Sequence, residues 1–460
     1  MNRTNGLPFR SREENMTGYP VLKESVRIKK MKNFCWIMEP LSGTDCSIAP
    51  VEAFVLSNLN GEWTFDELTY FVRKLFGISF QQAVSLLEGV FQRLSACITY
   101  LPEPCPHPAR SDPSSFLYHV DPESIARQER LDTPSELHFS LTHACNFRCI
   151  YCFNASAERS ENEMTTEKWL DLIRQARELD VLKCTLTGGE PTLHPGIHPI
   201  LHELKKQDML ICLCTNGSAF DPEMGRLLQG STVQVSLDTD DPGIHHKLTG
   251  RNNLDRVMNN IQKFVEYGAS VQIKCVLTPF NLNTVSTLYT TCQKLGVGKL
   301  VLDRFDVSSC GRGDTGLLIT EKEMDEVRRS VRQVYNGGKM QAVTAFHPHV
   351  WKEREDIIPC AAFRRSLIIL PDGEVSACEK ILDIPEMRVG NIRANTLSEI
   401  WESERIDSIL NPPRQKMDPE CGRCGFMDYC HTGCYALKAY YGKQLFGKDP
   451  RCGIESCSCL

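Results

Sequence analysis

Between residues 136 and 335, short apolar runs alternate with amphipathic stretches. The runs are LHFSLT, KCTLTG, LICLCTN, VQVSLD, VQIKCVLT and KLVLDRF, and helical periodicity lies between them near 165–180, 194–207, 221–229, 254–267, 282–295 and 320–335. A chain that leaves a strand through a helix returns to the sheet parallel to where it left, and the crossover is right-handed. Six such units predict an α/β fold, a partial (β/α)6 TIM-like barrel spanning 135–338. Chemistry in that architecture belongs at the C-terminal strand ends.

The flanks read differently. Residues 1–20 form an expected flexible tail without the apolar core of a secretory signal, and no apolar run approaches membrane-spanning length. A cytoplasmic protein is expected. From 21 to 101, the segments VRIKKM and FCWIMEP precede three helical patterns with start signals: Ser47 before APVEAFVLSNL, Thr64 with Glu67 as a capping box, and Ser79 before FQQAVSLLEGVFQRL. This predicts a small winged-helix-like domain of three strands and three helices. Proline at 102, 104, 106, 108 and 113 marks a stiff linker, with a bridging helix completing 102–134. Beyond 338 the periodicity fades and cysteines crowd in, as expected of a loop-rich third domain held by metal over 339–460. A net charge of -6 gives no general pull towards nucleic acid or anionic lipid.

The chain has 22 cysteines, and a reducing cytosol argues against disulfides. Cys97, Cys184, Cys212, Cys275 and Cys292 are scattered and read as small buried hydrophobes. Cys145, Cys149 and Cys152 are different. They cluster in HACNFRCIYCFN, straight after the first strand, and stop at three. A structural zinc site uses four ligands, and catalytic zinc draws largely on His and carboxylate. Three thiolates instead leave one iron of a cubane cluster open to a small molecule.

The pattern Cys145-x3-Cys149-x2-Cys152 resembles that of the radical S-adenosylmethionine (SAM) superfamily. The resemblance implies a 4Fe-4S cluster that binds SAM and cleaves it to methionine and a 5'-deoxyadenosyl radical. By the same resemblance, Tyr151 packs against the adenine. Gly188, Gly189 and Glu190, followed by Pro191, look like the segment that receives the SAM ammonium. Thr215 and Asn216 in CTNG lie beside the ribose. Ser236 and Arg251 serve the carboxylate, although relatives often carry Arg where Thr249 stands.

The C-terminal cysteines resemble a SPASM domain: Cys360, then Gly373-x4-Cys378, then Cys421-x2-Cys424-x5-Cys430-x3-Cys434, then Cys452. Two auxiliary 4Fe-4S clusters are implied, three clusters in all. Cys360, Cys378 and Cys434 would hold the first, and Cys421, Cys424, Cys430 and Cys452 the second. The first has only three thiolates, because KEREDIIP stands where relatives supply another cysteine; Cys457 or Cys459 completes it, or an iron stays open for a substrate thiolate. A zinc knuckle at CGRC is the competing assignment.

The N-terminal block resembles a PqqD-like RiPP recognition element, which binds the leader of a ribosomally made peptide as an added strand. Its third helix carries one arginine and one glutamate, a poor match to phosphate. Together these resemblances imply a sactipeptide- or ranthipeptide-type thioether synthase. Its expected partners are a Cys-containing precursor peptide and a reductant such as flavodoxin or ferredoxin, with no nucleic acid, no membrane and a monomeric state. Carbon-carbon cross-linking, epimerisation and formylglycine formation remain alternatives within the class. The last uses an acid after the GX4C cysteine, where Glu379 replaces the usual Asp. An iron-sulfur redox regulator that binds DNA is the non-enzyme alternative.

Overall fold

The computed structural model describes residues 18–31, 34–105, 113–116, 130–154, 158–305, 315–334, 340–344, 360–442 and 444–453. The expected tail, most of the linker and its bridging helix, KEREDIIP, Cys457 and Cys459 lie outside the described residues. The chain forms two compact units, Met1–Gln128 and Glu129–Leu460.

In the first unit, β2 (Arg27–Lys30), β3 (Cys35–Glu39) and β4 (Thr44–Ile48) make an antiparallel sheet with β3 central. A second antiparallel pair joins β1 (Tyr19–Leu22) to β5 (Ile98–Leu101). Helices α1 (Pro50–Ser57), α2 (Phe65–Phe76) and α3 (Phe80–Arg93) bury Phe54, Leu56, Val72, Leu87 and Val90 with Ile37 from the sheet. Thr64 with Glu67 and Ser79 with Gln82 form the capping boxes of α2 and α3. Ser47 does not start α1. It lies in β4 opposite Trp36, the N-cap is Ala49, and the carboxylate of Glu52 accepts from the Ala49 N–H at 2.7 Å. The sequence shows a hydroxyl near a helix start but not that strand pairing has already claimed it.

The second unit is built on one ten-stranded sheet. The six strands expected from the sequence are β6 (Glu136–Ser140), β7 (Lys183–Thr187), β8 (Leu210–Thr215), β9 (Thr232–Ser236), β10 (Ser270–Leu277) and β11 (Lys299–Arg304), neighbours in that order and all parallel. The connecting helices are α4 (Thr166–Glu178), α5 (Ile197–Lys206), α6 (Pro222–Leu227), α7 (Pro242–Thr249), α8 (Leu254–Glu266), α9 (Val285–Lys294) and α10 (Glu321–Val334). Of these, α7 was not expected.

Two further parallel strands correct the six-strand expectation. β12 (Gln341–Thr344) pairs with β11, and β13 (Ser366–Ile369) pairs with β6, Ser366 opposite Glu136. From β13 the sheet continues antiparallel through β14 (Glu374–Ser376) and β15 (Arg388–Asn391). The boundary expected at 338/339 is therefore crossed by the sheet itself. Helix α11 (Leu397–Trp401) reinforces the junction: the indole N–H of Trp401 donates to the Leu131 and Asp132 carbonyls at 3.2 and 3.0 Å. Helices α12 (Glu404–Leu410), α13 (Met427–Cys430) and α14 (Tyr435–Tyr440) complete the cysteine-rich end.

Parallel strands are usually apolar on both faces, but these alternate. In β10, Val271, Ile273, Cys275 and Leu277 are buried while Ser270, Gln272, Lys274 and Val276 are half-buried. The apolar face carries the helices, as where Phe139 of β6 meets Trp169 of α4 at 5.3 Å between ring centroids. The opposite face is polar. Among the described residues, no helix is long and apolar enough to cross a membrane.

Candidate active site

The loop after β6 holds Cys145, Cys149 and Cys152, all half-buried. Its entry is pinned by Glu163, a residue the sequence gave no reason to single out. The Glu163 side chain is 1 % exposed and accepts from the Thr142 hydroxyl at 2.9 and 3.0 Å, the His143 N–H at 2.8 Å, the Ser160 N–H at 3.2 Å and Arg159 Nε at 3.1 Å. The far side of the loop is braced by α7: the N–H groups of Arg148 and Ile150 donate to the carbonyls of Thr249 and Leu248, each at 2.9 Å.

Gly188 and Gly189 end β7 directly beneath this loop. The Gly189 and Glu190 N–H groups donate to the Thr142 and Ala144 carbonyls, both at 2.7 Å. A Cβ on Gly189 would lie 2.3 Å from the Ala144 oxygen, and Gly188 has φ +134° with Thr142 O 2.6 Å from its own would-be Cβ. Both positions exclude side chains, so the glycines are required by the approach of the cysteine loop.

Glu190 is fully buried. One carboxylate oxygen accepts from Thr215 Oγ1 at 2.7 Å and from the Thr192 hydroxyl and N–H at 2.6 and 3.2 Å; the other accepts from the Asn216 N–H at 2.7 Å. It thereby ties the end of β7 to the end of β8. Asn216 Nδ2 in turn donates to Asn146 Oδ1 at 2.8 Å and lies 4.0 Å from Cys145 Sγ. Tyr151 donates its hydroxyl to Asp238, a buried acid whose Oδ1 also accepts the Val276 N–H at 2.8 Å. Burial outweighs these hydrogen bonds and pushes the Asp238 carboxyl up to about 6. Ser236 is exposed at the end of β9, and exposed Arg251 donates Nε to the Asn146 carbonyl inside the cysteine loop. Seven of the eight SAM-contacting candidates thus meet one another or the cysteine loop; Ser236 stands at the same strand ends.

Cys145, Cys149 and Cys152 share this one loop, and the Phe147 N–H points at Cys145 Sγ from 3.4 Å. Burial pushes the Cys145 and Cys149 thiols up, so their thiolates need the positive charge of a bound metal centre. Among the described residues, no three His, Cys, Asp or Glu side chains gather tightly enough for a single metal ion. A set of three thiolates departs from the closed four-ligand site of structural zinc.

At the C-terminal end, Cys421, Cys424, Cys430 and Cys452 line one hollow of about 330 Å³ that opens to solvent, together with Phe426, Met427, Thr432, Lys448 and Asp449. Cys360, Cys378 and Cys434 are half-buried and do not line that hollow. The isolated cysteines 97, 184, 212, 275 and 292 are buried.

The polar sheet face adds residues that motif reading missed. Glu136 accepts from Lys183 Nζ at 2.8 Å and Thr185 Oγ1 at 2.7 Å, and lies 3.3 Å from His138 Nε2. The other His138 nitrogen is 3.5 Å from Glu379, next to Cys378. Burial opposes a charge on His138, but Glu136 and Glu379 outweigh it and hold its pKa near about 10. Lys274 and Asp303 pair at 3.1 Å on the same face. The only available signal was polar residues alternating inside strands.

Comparison with known proteins agrees with this geometry. Residues 139–291 match the Radical SAM superfamily, and residues 360–425 match SPASM, an iron-sulfur cluster-binding domain. The mycofactocin maturase MftC of Mycobacterium tuberculosis is 27% identical over 342 residues, covering 72% of this chain and 86% of the relative. The subtilosin biosynthesis protein AlbA of Bacillus subtilis is 25% identical over 311 residues, 66% of this chain and 68% of AlbA. Streptococcus suis SuiB, solved with its precursor peptide SuiA, superposes with a TM-score of 0.65 at 18% identity, over 96% of this chain and 100% of SuiB. The chain therefore carries a radical SAM domain followed by a SPASM iron-sulfur cluster-binding domain.

Proposed function

We propose that this chain is a maturase that binds the leader of a ribosomally made precursor peptide and installs thioether cross-links from cysteine sulfur to carbon in its core. The carrying observation is that the fold likeness to SuiB extends over 96% of the chain, N-terminal unit included. MftC and AlbA, named for maturation and bacteriocin biosynthesis, support the same class.

Cys145, Cys149 and Cys152 would hold the SAM-binding 4Fe-4S cluster, which with SAM supplies a 5'-deoxyadenosyl radical when both are bound. The chain's residues set where that happens. Gly188 and Gly189 keep the strand end flush with the cysteine loop. Glu190 locks the CTNG turn, so that Thr215 and Asn216 present a fixed surface beside it. Tyr151 is oriented by Asp238, and Ser236 and Arg251 are the polar groups left for a carboxylate. In the ammonium assignment, Glu190 acts through the backbone it orders as well as through its own charge.

Cys360, Cys378 and Cys434 provide three thiolates for one auxiliary cluster, and Cys421, Cys424, Cys430 and Cys452 provide four for another. An iron left open at the three-thiolate group would take a substrate sulfur, which favours thioether formation. In the N-terminal unit, β2 and β4 are the edge strands of the three-stranded sheet, and an added peptide strand would pair along such an edge. A flavodoxin or ferredoxin would supply the electron.

The test is anaerobic reaction of the reconstituted protein with SAM, dithionite and a short Cys-containing peptide encoded beside its gene. Release of 5'-deoxyadenosine with a product about 2 Da lighter per cross-link, two hydrogens lost, is expected. A product of unchanged mass that takes up deuterium from heavy water refutes the thioether assignment in favour of epimerisation. A protein that releases no 5'-deoxyadenosine refutes the enzyme.

A further inference from the structure

One buried cation lies within electrostatic reach of both auxiliary cysteine groups, Cys360 and Cys434 of one and Cys421 of the other. Lys438, on α14, is 0% exposed. It stands one helical turn after Cys434, its backbone N–H donating to the Cys434 carbonyl at 3.1 Å. Its Nζ donates to the hydroxyl of Thr432, and Thr432 lines the hollow of Cys421, Cys424, Cys430 and Cys452.

Among the described residues Lys438 has no ion-pair partner, and the attraction of the more distant Asp449 does not offset its burial. The ring of Tyr435 lies 4.5 Å from Nζ, and among the described residues no carboxylate approaches within the 4.0 Å of an ion pair. Asp449 lines the same hollow but is committed elsewhere: it accepts from Arg451 at 2.8 and 2.9 Å and from the Cys434 N–H at 2.8 Å. An ammonium removed from water and given only a hydroxyl and a ring is costly, and buried charges persist where an opposite charge meets them. The groups on either side of Lys438 are cysteines, whose thiolates make an iron-sulfur cluster anionic. A methionine would fill the same space without that cost, so packing alone does not account for a lysine.

We propose that Lys438 is the built-in counter-charge of the auxiliary clusters, a buried cation between the two cysteine groups that holds their reduction potentials up. Reduction adds negative charge, so a nearby fixed cation favours the reduced form, and local charge is one of the levers that set cluster potentials. This rests on the reading that both cysteine groups hold iron-sulfur clusters.

The experiment uses the full chain carrying Cys145→Ala, Cys149→Ala and Cys152→Ala, so that only auxiliary clusters contribute. After anaerobic reconstitution, iron and sulfide are counted and the clusters are titrated by electron paramagnetic resonance at set potentials. Lys438→Met is expected to retain its iron and sulfide and to lower at least one midpoint by tenfold or more in the reduction equilibrium, about 59 mV for a one-electron couple. Lys438→Arg should stay within about threefold of the parent, an effect of about 28 mV by the same constant. Unchanged midpoints in Lys438→Met overturn the proposal.

The apo proteins give a second arm should Lys438→Met load poorly. A counter-charge role predicts that the metal-free Lys438→Met chain melts higher than its metal-free parent, because an uncompensated charge has been removed. A lower melting temperature in the apo state means that Lys438 serves packing and overturns the proposal. A parent without iron and sulfide at these cysteines refutes the cluster reading itself, separately from any effect of Lys438.

Discussion

Replacing Glu163 with alanine should unseat the cysteine loop. Its carboxylate takes hydrogen bonds from the Thr142 hydroxyl and from the His143 and Ser160 N–H groups, with a side chain 1 % exposed. Bonds to a charged acceptor contribute about 1.5–3 kcal/mol each. The Arg159 partner is half-exposed and adds about 0–1 kcal/mol. Water entering the vacated space and rotation of the Thr142 hydroxyl recover part of the sum, leaving an expected loss of about 3–5 kcal/mol, at the large end for one substitution. Glu163→Gln keeps one oxygen for the two N–H donors and turns an amide towards the Thr142 hydroxyl, so its loss should be about 1–2 kcal/mol. Urea unfolding of the apo chain reads the stability. Iron retained by Cys145, Cys149 and Cys152, in a background with the auxiliary cysteines replaced by alanine, reads the loop. Glu163→Ala within about 1 kcal/mol of the parent, with undiminished iron, would refute the claim that this carboxylate holds the loop in place.

Other outcomes follow from the same geometry. Gly189→Ala would place a Cβ 2.3 Å from the Ala144 oxygen, so iron at the SAM site should be lost while auxiliary iron stays; full retention at both sites contradicts the close-approach argument. Asp238 binds its proton more tightly folded, at about 6, than unfolded, at about 3.9. Its contribution to stability is therefore complete below about pH 4 and lost as pH rises through 6, about 3 kcal/mol in all. Stability of the parent minus that of Asp238→Asn should fall over that window and then level off, and a pH-independent difference defeats it. His138, held near about 10 by Glu136 and Glu379 against burial, contributes stability that is full below about pH 6.5 and lost as pH rises through 10. Its ring resonances should not titrate between about pH 7 and 8.5; a midpoint near 6.5 would show that the carboxylates do not hold it charged.

Local pattern carried a great deal here. The alternation of apolar runs and amphipathic stretches yields β6 to β11 and the order of most helices, because burial on one face leaves a period in the residues that form it. Thr64 with Glu67 and Ser79 were readable as helix starts because a capping bond spans three residues. The spacing of Cys145, Cys149 and Cys152 and the two glycines of TGGEP were readable because metal ligation and backbone approach impose residue types at short range.

What stayed illegible is non-local. β12 and β13 are four residues each and look like loop until β11 and β6 offer them a ladder. Ser47 looked like a cap because nothing nearby announces that Trp36 pairs with it. Glu163 reads as one acid among many, and becomes an anchor only when Thr142 and His143 arrive beside it from the end of β6. Likewise Lys438 is an ordinary helical lysine in sequence and a fully buried cation in the folded chain. By itself the sequence laid out β6 to β11 and most of the helices, and it singled out the cysteine loop and the cysteine-rich tail by spacing. Only the tertiary structure decided which charges face one another, because the energy of a charge depends on what surrounds it in space, and those surroundings come from other segments, as Glu379 does for His138.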